Sequence, residues 1–339
     1  MVSFVIPTLN SERTLGECLD AILAQDFPRE DYEIVVADAG SSDATLEIAR
    51  AKGVDVVCGN PLKTGEAGKT AGIKASRGDL IALVDSDNIL PDAGWLRAMT
   101  APFADDSIFA TEPIRYSARR DDPSLTRYFA ELGMNDPVCL FVGNYDRHCA
   151  VTGRWTGLDV PTERRDGYLK LGIGSGMPTI GANGFVFRRR ILDKVTWAPY
   201  FFDIDVAAAA VAAGCGAIAK VETSIVHLYC AKFGDFTRKQ RRRIRDFLFF
   251  AKTKERTYPW KEQRRGGIVL FVLSAMFVLP LVVQALLFAA RAPRGSKSLA
   301  WWHLPVCYAT LWIYGTGVLS KLVGIRPRMA DRSDWQKKS

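Results

Sequence analysis

Residues 80–88 read LIALVDSDN, an apolar run that ends in two acids and an amide. The apolar part, Leu80–Val84, has the length and composition of a buried β-strand. Asp85 and Asp87 follow it directly, with Ser86 between them. Acids that follow a buried strand are typical of a ligand site if the neighbouring strands are parallel, because parallel sheets bind ligands at their carboxyl ends.

The first hundred residues alternate strand-like runs with segments of helical spacing. Strands are predicted at Val2–Ile6, Tyr32–Ala37, Val54–Val57 and Leu80–Val84, and helices lie between them. This order predicts an α/β fold with a doubly wound, mostly parallel sheet. The polar loops after Ile6, Ala37 and Val84 should then share one cleft.

The pattern weakens between residues 105 and 181. Such an insert is either a wall or lid on the acceptor side of an enzyme or a surface excursion, and both interpretations remain open. Regular spacing then resumes. It predicts a strand at Phe185–Phe187, a helix from about Asp205 to Ala213, strands around Ile218 and Ile225, and a basic helix near Thr237–Ala251.

The basic residues are concentrated near the apolar part of the chain. The formal net charge is +8, and much of the excess lies in Arg238–Arg245, Arg256–Arg265 and Arg326–Lys338. Because these clusters flank apolar segments and lack a zinc-finger or aromatic-interleaved pattern, they favour anionic lipids or phosphorylated substrates as partners. Nucleic acid is not expected to be a partner.

The cysteines and the N-terminus both indicate a catalytic part in the cytosol. Seven cysteines, an odd number without a C-x-x-C pair, are typical of reduced core residues. The apolar run Val2–Ile6 ends at Pro7 and is too short for a signal peptide.

Two apolar segments predict a membrane-spanning helical hairpin. Ile268–Ala290 has 23 residues without a charge, and Leu299–Ile325 carries only Lys321. Each can cross a hydrocarbon core of about 30 Å, although the second segment could instead lie partly in the interface. The positive-inside rule places both ends in the cytoplasm.

The chain is therefore divided into four parts: a catalytic domain at 1–255, a basic linker at 256–267, two transmembrane helices at 268–325 and a basic cytoplasmic tail at 326–339. The expected location is the cytoplasmic membrane, with the catalytic domain facing the cytoplasm.

Asp85 and Asp87 are candidate ligands for a divalent metal ion, and Asp85, Ser86 and Asp87 are candidate donor-binding residues. Carboxylate oxygens suit Mg²⁺ or Mn²⁺, and such an ion would bridge a diphosphate and neutralise the charge on a leaving nucleoside diphosphate. The alternative is an acidic turn that caps the helix after Pro91.

Residues 4–10 (FVIPTLN) and 35–43 (VVADAGSSD) resemble two loops of the inverting family 2 glycosyltransferases of the GT-A fold, and the resemblance covers about Val2 to Ala251. It implies a UDP- or GDP-sugar donor, with Pro7, Thr8 and Asn10 in the first nucleotide-binding loop. Asp38 would face the nucleobase and ribose. The second acid that the family usually carries is Ala39 here.

The resemblance continues at two further segments. Residues 65–73 (GEAGKTAGI) place Lys69 at a cationic donor-binding position, although it could simply be solvated. Residues 202–205 (FDID) resemble a Glu-Asp motif in which Asp203 is the general base, with Phe202 in place of the usual Glu. Helix capping is the alternative for Asp203 and Asp205.

Two last sites follow from the same resemblance. His227 is similar to a histidine that completes the metal site in many GT-A enzymes, but it could be a structural residue. Residues 240–244 (QRRRI) partly resemble a Gln-x-x-Arg-Trp motif, with Ile244 in place of Trp. Arg243 could pair with the diphosphate, or its helix could lie on anionic lipid.

The predicted function is metal-dependent, inverting transfer of a sugar from a nucleotide-sugar donor to a lipid-linked acceptor in glycan or exopolysaccharide assembly. The acceptor group, a sugar hydroxyl or a polyprenyl phosphate, remains open. A dinucleotide-dependent enzyme is disfavoured because no Gly-x-Gly-x-x-Gly follows the first strand. A non-catalytic tethered nucleotide-binding module would not need acids at three strand ends.

Overall fold

A ten-stranded β-sheet forms the centre of the computed structural model, which describes residues 1–172, 176–181, 183–253, 258 and 266–324. The strands are β1 (Val2–Thr8), β2 (Tyr32–Asp38), β3 (Val56–Gly59), β4 (Leu80–Leu83), β5 (Asn88–Ile89), β6 (Ile108–Ser117), β7 (Thr162–Arg165), β8 (Tyr168–Leu171), β9 (Phe185–Arg188) and β10 (Ala217–His227). Their order across the sheet is β3-β2-β1-β4-β9-β6-β10-β8-β7, and β5 pairs with β10.

The first half of the sheet is parallel and the second half is mixed. β1 pairs in parallel with β2 and β4, and β2 with β3. β9 is antiparallel to both β4 and β6, whereas β10 is parallel to β6 and antiparallel to β5 and β8. The predicted α/β class is confirmed. The mostly parallel sheet is found only over β1–β4, because β9 returns in the opposite direction.

Helices cover both faces of this sheet. They are α1 (Leu15–Leu23), α2 (Thr45–Ala51), α3 (Gly65–Ala75), α4 (Trp95–Thr100), α5 (Ser124–Leu132), α6 (Val138–Val142), α7 (Asp203–Ala212), α8 (Phe233–Thr253), α9 (Gly267–Phe277), α10 (Leu279–Arg291) and α11 (His303–Leu322). Alternate residues of β1 enter different cores: Phe4 and Ile6 pack with α1 and α4, and Val5 packs on the opposite face with α3 and α7. Strands covered on both faces are mostly apolar on both sides, and every residue of β1 and β2 is buried.

The insert predicted at 105–181 is part of the main fold. Its strands β6, β7 and β8 join the sheet, and side chains of α5 and α6, such as Tyr128 and Phe141, are buried. The interpretation of this segment as a surface excursion is therefore wrong.

The first apolar segment does not form the single helix that was predicted. α9 ends at Phe277 and α10 begins at Leu279, with a bend of 96° between them. Val278 at the break has a φ of 61°, and Pro280 lies in the first turn of α10. Proline has no N–H for the preceding turn and its ring clashes with the carbonyl four residues earlier, so a helix cannot continue straight through it.

The predicted transmembrane hairpin is not supported by this structure. Among the described residues, no single helix is both long and apolar enough to cross a bilayer, and the bent pair α9–α10 passes that test only when its two halves are taken together. The second segment divides into a 3₁₀ turn at Lys297–Trp302 and α11. The predicted tail at 326–339 and nearly all of the predicted linker at 256–267 lie outside the described residues.

Helices α9–α11 pack against α5 and α6 in a shared apolar core. Phe271, Leu281, Phe288 and Val306 are each at most 3% exposed in this cluster, which also contains Phe129. The C-terminal helices are thus docked on the α/β domain.

Candidate functional site

A cleft of about 1890 Å³ lies at the carboxyl ends of β1, β2 and β4. It is lined by Thr8 at the end of β1 and Asn10 after it, by Asp43 after β2, and by Asp85 and Asp87 after β4. The structure therefore brings the three polar loops together, as their predicted positions after parallel strands required. Helices α8 and α11 form other parts of the wall.

The predicted nucleotide-binding loops hold each other through Asp38. Asp38 Oδ2 accepts hydrogen bonds from the backbone N–H groups of Gly40 and Ser41, both at 2.8 Å. Its Oδ1 accepts from the hydroxyls of Thr8 at 3.0 Å and Ser41 at 2.5 Å. These four bonds use the acceptor capacity of a carboxylate, so direct contact between Asp38 and a nucleotide would require one of them to open.

The first loop places Pro7 and Asn10 differently. Pro7 is buried in β1 beneath Gly68, whereas Asn10 has a φ of 50° and accepts from the N–H of Ser42 at 2.9 Å. The Nδ2 atom of Asn10 is buried without a hydrogen-bond partner among the described residues, and Asn10 lines the cleft.

Lys69 lies between two carboxylates inside the cleft. Its Nζ contacts Asp203 Oδ2 directly and lies 3.6 Å from Asp85 Oδ1. Lys69 is only 6% exposed, so the alternative of a solvated lysine is wrong. Burial lowers its pKa, but Asp203 and Asp85 outweigh burial and raise the pKa of Lys69 above its ordinary value.

Close packing of α3 on β1 brings Lys69 to this position. A Cβ on Gly72 would lie 2.5 Å from Val5 Cγ1, and one on Gly68 would lie 2.8 Å from Pro7 Cβ. Only glycine permits this approach of the helix to the strand.

Asp203 is the first residue of α7 and is nearly buried, with 12% of its side chain exposed. Burial and the nearby Asp85 raise the pKa of Asp203 to about 7, against the opposing charge of Lys69. Lys69 is thus the single cation beside two carboxylates, Asp85 and Asp203, so it cannot neutralise the negative charge of both. The Oδ1 atom of Asp203 is buried without a hydrogen-bond partner among the described residues.

Neither acid of the FDID segment caps its helix. The N-cap residue, directly before α7, is Phe202, so neither acid occupies the capping position. Asp205 instead accepts from the backbone N–H of Tyr258 at 2.8 Å. The capping alternative is wrong for both acids.

A buried ionic cluster supports the backbone around Asp203. Glu112 contacts Lys220 at 2.6 Å and Arg147 at 2.5 Å, and all three are fully buried. Glu112 also accepts from the N–H of Gly181 at 2.9 Å. A Cβ on Gly181 would lie 2.6 Å from the carbonyl carbon of Asp203, so the cluster fixes the surface on which α7 begins.

Asp87 is adjacent to His227 because β5 pairs with the end of β10. The register places Asn88 opposite His227, and Asp87 Oδ1 lies 3.6 Å from His227 Nε2. Lys239 Nζ of α8 lies 3.7 Å from Asp87 Oδ2. Burial raises the pKa of Asp87, but His227 and Lys239 outweigh it and hold that pKa well below its ordinary value.

The carboxylate of Asp87 and the imidazole of His227 are suitably placed to act as ligands of one divalent ion. Two ligands each about 2.1 Å from one ion lie roughly 3.0–3.4 Å apart, close to the separation of Asp87 and His227. Within the described parts of the chain, no group of three or more His, Cys, Asp or Glu side chains is close enough to hold a metal alone. Asp85 lies beside Lys69, and further ligands would come from phosphate and water, as Mg²⁺ commonly requires.

Arg243 of α8 also lines the cleft, close to Asn135. Its guanidinium donates to the carbonyl of Asn135 at 2.9 Å and to Gln240 Oε1 at 3.1 Å. The Tyr314 hydroxyl of α11 donates its proton to Asp136 Oδ2 at 2.5 Å and lies 2.8 Å from Gln240 Oε1. These contacts join α11 to the rim of the cleft.

Lys239 and Asn135 also belong to the site, although neither was predicted as a site residue. Asn135 lies 3.3 Å from His227 Nδ1 and also accepts from Arg243. Both residues line the cleft. No local motif marks either one, because each reaches the site through the packing of its helix or loop. Ser86, which was predicted, pairs with Ser11 at 2.9 Å.

Phe202, which replaces the usual Glu, has a packing partner on α8. Its ring lies 4.9 Å from that of Phe250 in an edge-to-face arrangement. Since Lys239 contacts Asp87 near the other end of α8, this helix extends along the cleft from the Asp87 side to the Asp203 side.

A family model described as glycosyl transferase family 2 matches residues 3–196, more than half of the chain. The chain belongs to this family. The prediction of a family 2 glycosyltransferase is thereby confirmed, although the match ends before Asp203 and His227.

The chain is similar to three proteins whose names are known. The poly(ribitol-phosphate) beta-glucosyltransferase of Bacillus spizizenii is 37% identical over 103 residues, which are 28% of this chain and 16% of that protein. Glycosyltransferase AglE of Haloferax volcanii is 33% identical over 100 residues, 28% of this chain and 33% of that protein. The match thus spans one third or less of these relatives. The solved structure of mannosyltransferase PcManGT from Pyrobaculum calidifontis, in complex with GDP-Man and Mn²⁺, is 16% identical with a TM-score of 0.49, over 99% of this chain and 83% of that one.

Proposed function

We propose that this family 2 member transfers a sugar, with inversion, from a UDP- or GDP-sugar to a lipid-linked acceptor at the cytoplasmic face of the membrane. The observation that carries the proposal is the grouping of Asp85, Asp87, Lys69 and Asp203 in one cleft at the ends of parallel strands. This arrangement provides separate acids for the leaving diphosphate and for the attacking group.

Asp203 is the proposed general base. As the acceptor oxygen bonds to the anomeric carbon and the bond to the nucleoside diphosphate breaks, Asp203 takes the proton of the acceptor hydroxyl. A base with a pKa near the working pH is well suited to this step, and the pKa of Asp203 is about 7. Lys69 holds Oδ2 in place, which leaves the unpartnered Oδ1 to accept the proton.

Asp87 and His227, with Asp85 beside them, would hold Mn²⁺ or Mg²⁺. Such an ion supplies electrostatic stabilisation of the charge that develops on the leaving diphosphate. Lys239, 3.7 Å from Asp87, adds a further positive charge at this end of the cleft.

The C-terminal helices support the membrane part of the proposal. Large apolar side chains between 64% and 76% exposed lie on α9–α11: Ile268, Met276, Phe277, Leu279, Leu286, Trp312 and Leu322. An exposed apolar surface of this extent is unusual for a protein surrounded by water. A lipid surface would cover it, and it adjoins the cleft through Ile268.

A polyprenyl phosphate acceptor is the second candidate. Arg238, Lys239 and Arg242 of α8 line the cleft and would attract a phosphate. A phosphate acceptor is already anionic near neutral pH and does not require Asp203 as a base.

The test is a panel of UDP- and GDP-sugars incubated with the full chain and Mn²⁺, first with water and then with lipid-linked sugars or polyprenyl phosphates as acceptors. Metal-dependent release of nucleoside diphosphate from at least one donor is the expected result. Nucleotide binding without turnover of any donor would favour a tethered nucleotide-binding module instead, and the absence of both binding and turnover would reject the proposal.

A further inference from the structure

The cleft has an apolar limb that the proposed donor site does not use. Beyond Asp203 and Asp87 its wall is formed by α8, α9 and α11, with Phe247, Val272, Leu311 and Val318 among the lining residues. A nucleotide sugar is polar throughout, so it has no group that this part of the cleft would favour over water.

The cleft-lining face of α8 changes character along its length. Its first part carries four cations, Arg238, Lys239, Arg242 and Arg243, together with Asp235. Its last part carries Phe247 and Phe250, together with Asp246. Four cations and two acids give α8 itself an excess of positive charge, although Asp87 and Asp136 from neighbouring segments lie 3.7 Å from Lys239 and Arg243. This charged part of the helix adjoins an apolar wall. A ligand with an anionic head and an apolar chain matches such a surface.

Gly315 leaves open space in the apolar limb. It lines the cleft from within α11, and a Cβ built on it would meet no atom of the described residues within 4 Å. Gly317, two residues further on, is different: its Cβ would lie 3.0 Å from Ile244 Cγ1, where α11 packs on α8. Gly315 is therefore not required for the contact between these helices, and a larger side chain there would enter the cleft.

We infer that the apolar limb between α8, α9 and α11 binds the hydrocarbon chain of the acceptor lipid, and that the arginines of α8 bind its phosphate. The inference rests on the proposed function, since it assigns a subsite to the acceptor of that reaction. A phospholipid of the bilayer has the same head chemistry, but the limb belongs to the cleft that contains Asp203, so we assign it to the acceptor.

The test uses farnesyl phosphate as a short-chain probe and measures its dissociation constant by calorimetry with the full chain, beside farnesol and inorganic phosphate. Farnesyl phosphate should bind at least about tenfold more tightly than either fragment. Gly315→Leu should weaken its binding at least about tenfold by filling the limb, because leucine also favours a helix over glycine and leaves the fold intact.

Thr316→Leu is the matched control. Thr316 is the next residue of α11, is exposed and does not line the cleft, so the same added bulk should change the affinity less than twofold. Unchanged affinity in Gly315→Leu, or an equal loss in both variants, would overturn the inference. Equal binding of dihexanoyl phosphatidic acid would also overturn it, since the limb would then accept bilayer lipids.

Titration of the same proteins with UDP or GDP and Mn²⁺ separates this inference from the proposed function. Nucleotide affinity should be the same in the unsubstituted chain and in Gly315→Leu. If nucleotide binds and farnesyl phosphate does not, the lipid subsite is rejected alone. If no nucleotide binds, the proposed function fails and the subsite, which depends on it, fails with it.

Discussion

At the scale of single residues, the contact of Lys69 with Asp203 and Asp85 decides the chemistry of the cleft. Burial raises the pKa of Asp203 most, and the second carboxylate, Asp85, raises it further, so that this pKa is about 7 despite the opposing charge of Lys69. A base at this pKa is ionised in part at neutral pH and can still take a proton.

The pKa of Asp203 predicts how the rate of sugar transfer depends on pH. Only ionised Asp203 accepts a proton, so kcat/KM should rise with pH and level off above about pH 7. Lys69→Met removes the cation that favours the ionised form, and the midpoint should move to higher pH. Lys74→Met, on the same helix and exposed, should leave it unchanged. A flat profile between about pH 6 and 8 would contradict the role of Asp203.

Substitution of Asp203 separates the two acceptor chemistries. A positioned base contributes typically 10²–10⁴-fold, so Asp203→Asn should lower kcat at least about a hundredfold with little change in donor affinity. Asp205→Asn is the control, because a carboxamide oxygen can still accept from Tyr258 N–H. Near-normal turnover in Asp203→Asn would indicate a phosphate acceptor, and lost donor binding would assign this acid to the nucleotide.

Asp87 predicts the metal dependence. Asp87→Asn keeps the shape of the side chain but removes the charge beside His227, so calorimetry should show that Mn²⁺ no longer strengthens nucleoside diphosphate binding. Asp26→Asn, an exposed acid outside the cleft, should behave like the unsubstituted chain. Metal-dependent affinity that survives in Asp87→Asn would reject this metal site.

At the scale of elements, the packing of α3 on β1 positions the site. Because a Cβ on Gly72 would lie 2.5 Å from Val5, Gly72→Ala should lower the free energy of unfolding by about 1–3 kcal/mol through overpacking. In Gly65→Ala, on the same helix, the new Cβ meets no atom of the described part of the chain within 4 Å, so this variant should be neutral or more stable. Urea denaturation of both variants measures the difference, and equal stabilities would mean that α3 can shift freely.

At the scale of the whole molecule, the C-terminal helices contribute to the core of the α/β domain. Phe271, Leu281, Phe288 and Val306 are buried against α5 and α6, and each such side chain contributes about 1.5–3 kcal/mol. Their sum is comparable with the whole stability of a typical domain, about 5–15 kcal/mol.

Removal of residues 266–339 should therefore abolish cooperative unfolding or make the chain insoluble. Thermal unfolding followed by circular dichroism tests this. Leu286→Ala in the full chain removes an exposed apolar side chain of α10 and should change stability little. A truncated chain that unfolds cooperatively at the temperature of the full chain would show that the docking of α9–α11 is not needed.

The sequence by itself determined the features that depend on local pattern. Apolar runs followed by polar residues located the ends of β1, β2 and β4, and parallel strands necessarily bring such ends to one edge of a sheet. The acids Asp85 and Asp87 and the family resemblance could therefore be recognised without coordinates. The same local reasoning failed at residues 268–290, where composition indicated one helix and the break at Val278 gave two.

Only the tertiary structure decided which side chains meet across the cleft. Lys69 contacts Asp203 over a separation of 134 residues, and Lys239 approaches Asp87 because α8 crosses the ends of the strands. Contacts between distant parts of the chain also place β9 between β4 and β6. Such contacts dock α9–α11 on α5 and α6 as well. Hydrophobic periodicity records which face of an element is buried but not the element it is buried against, so these contacts follow from packing alone.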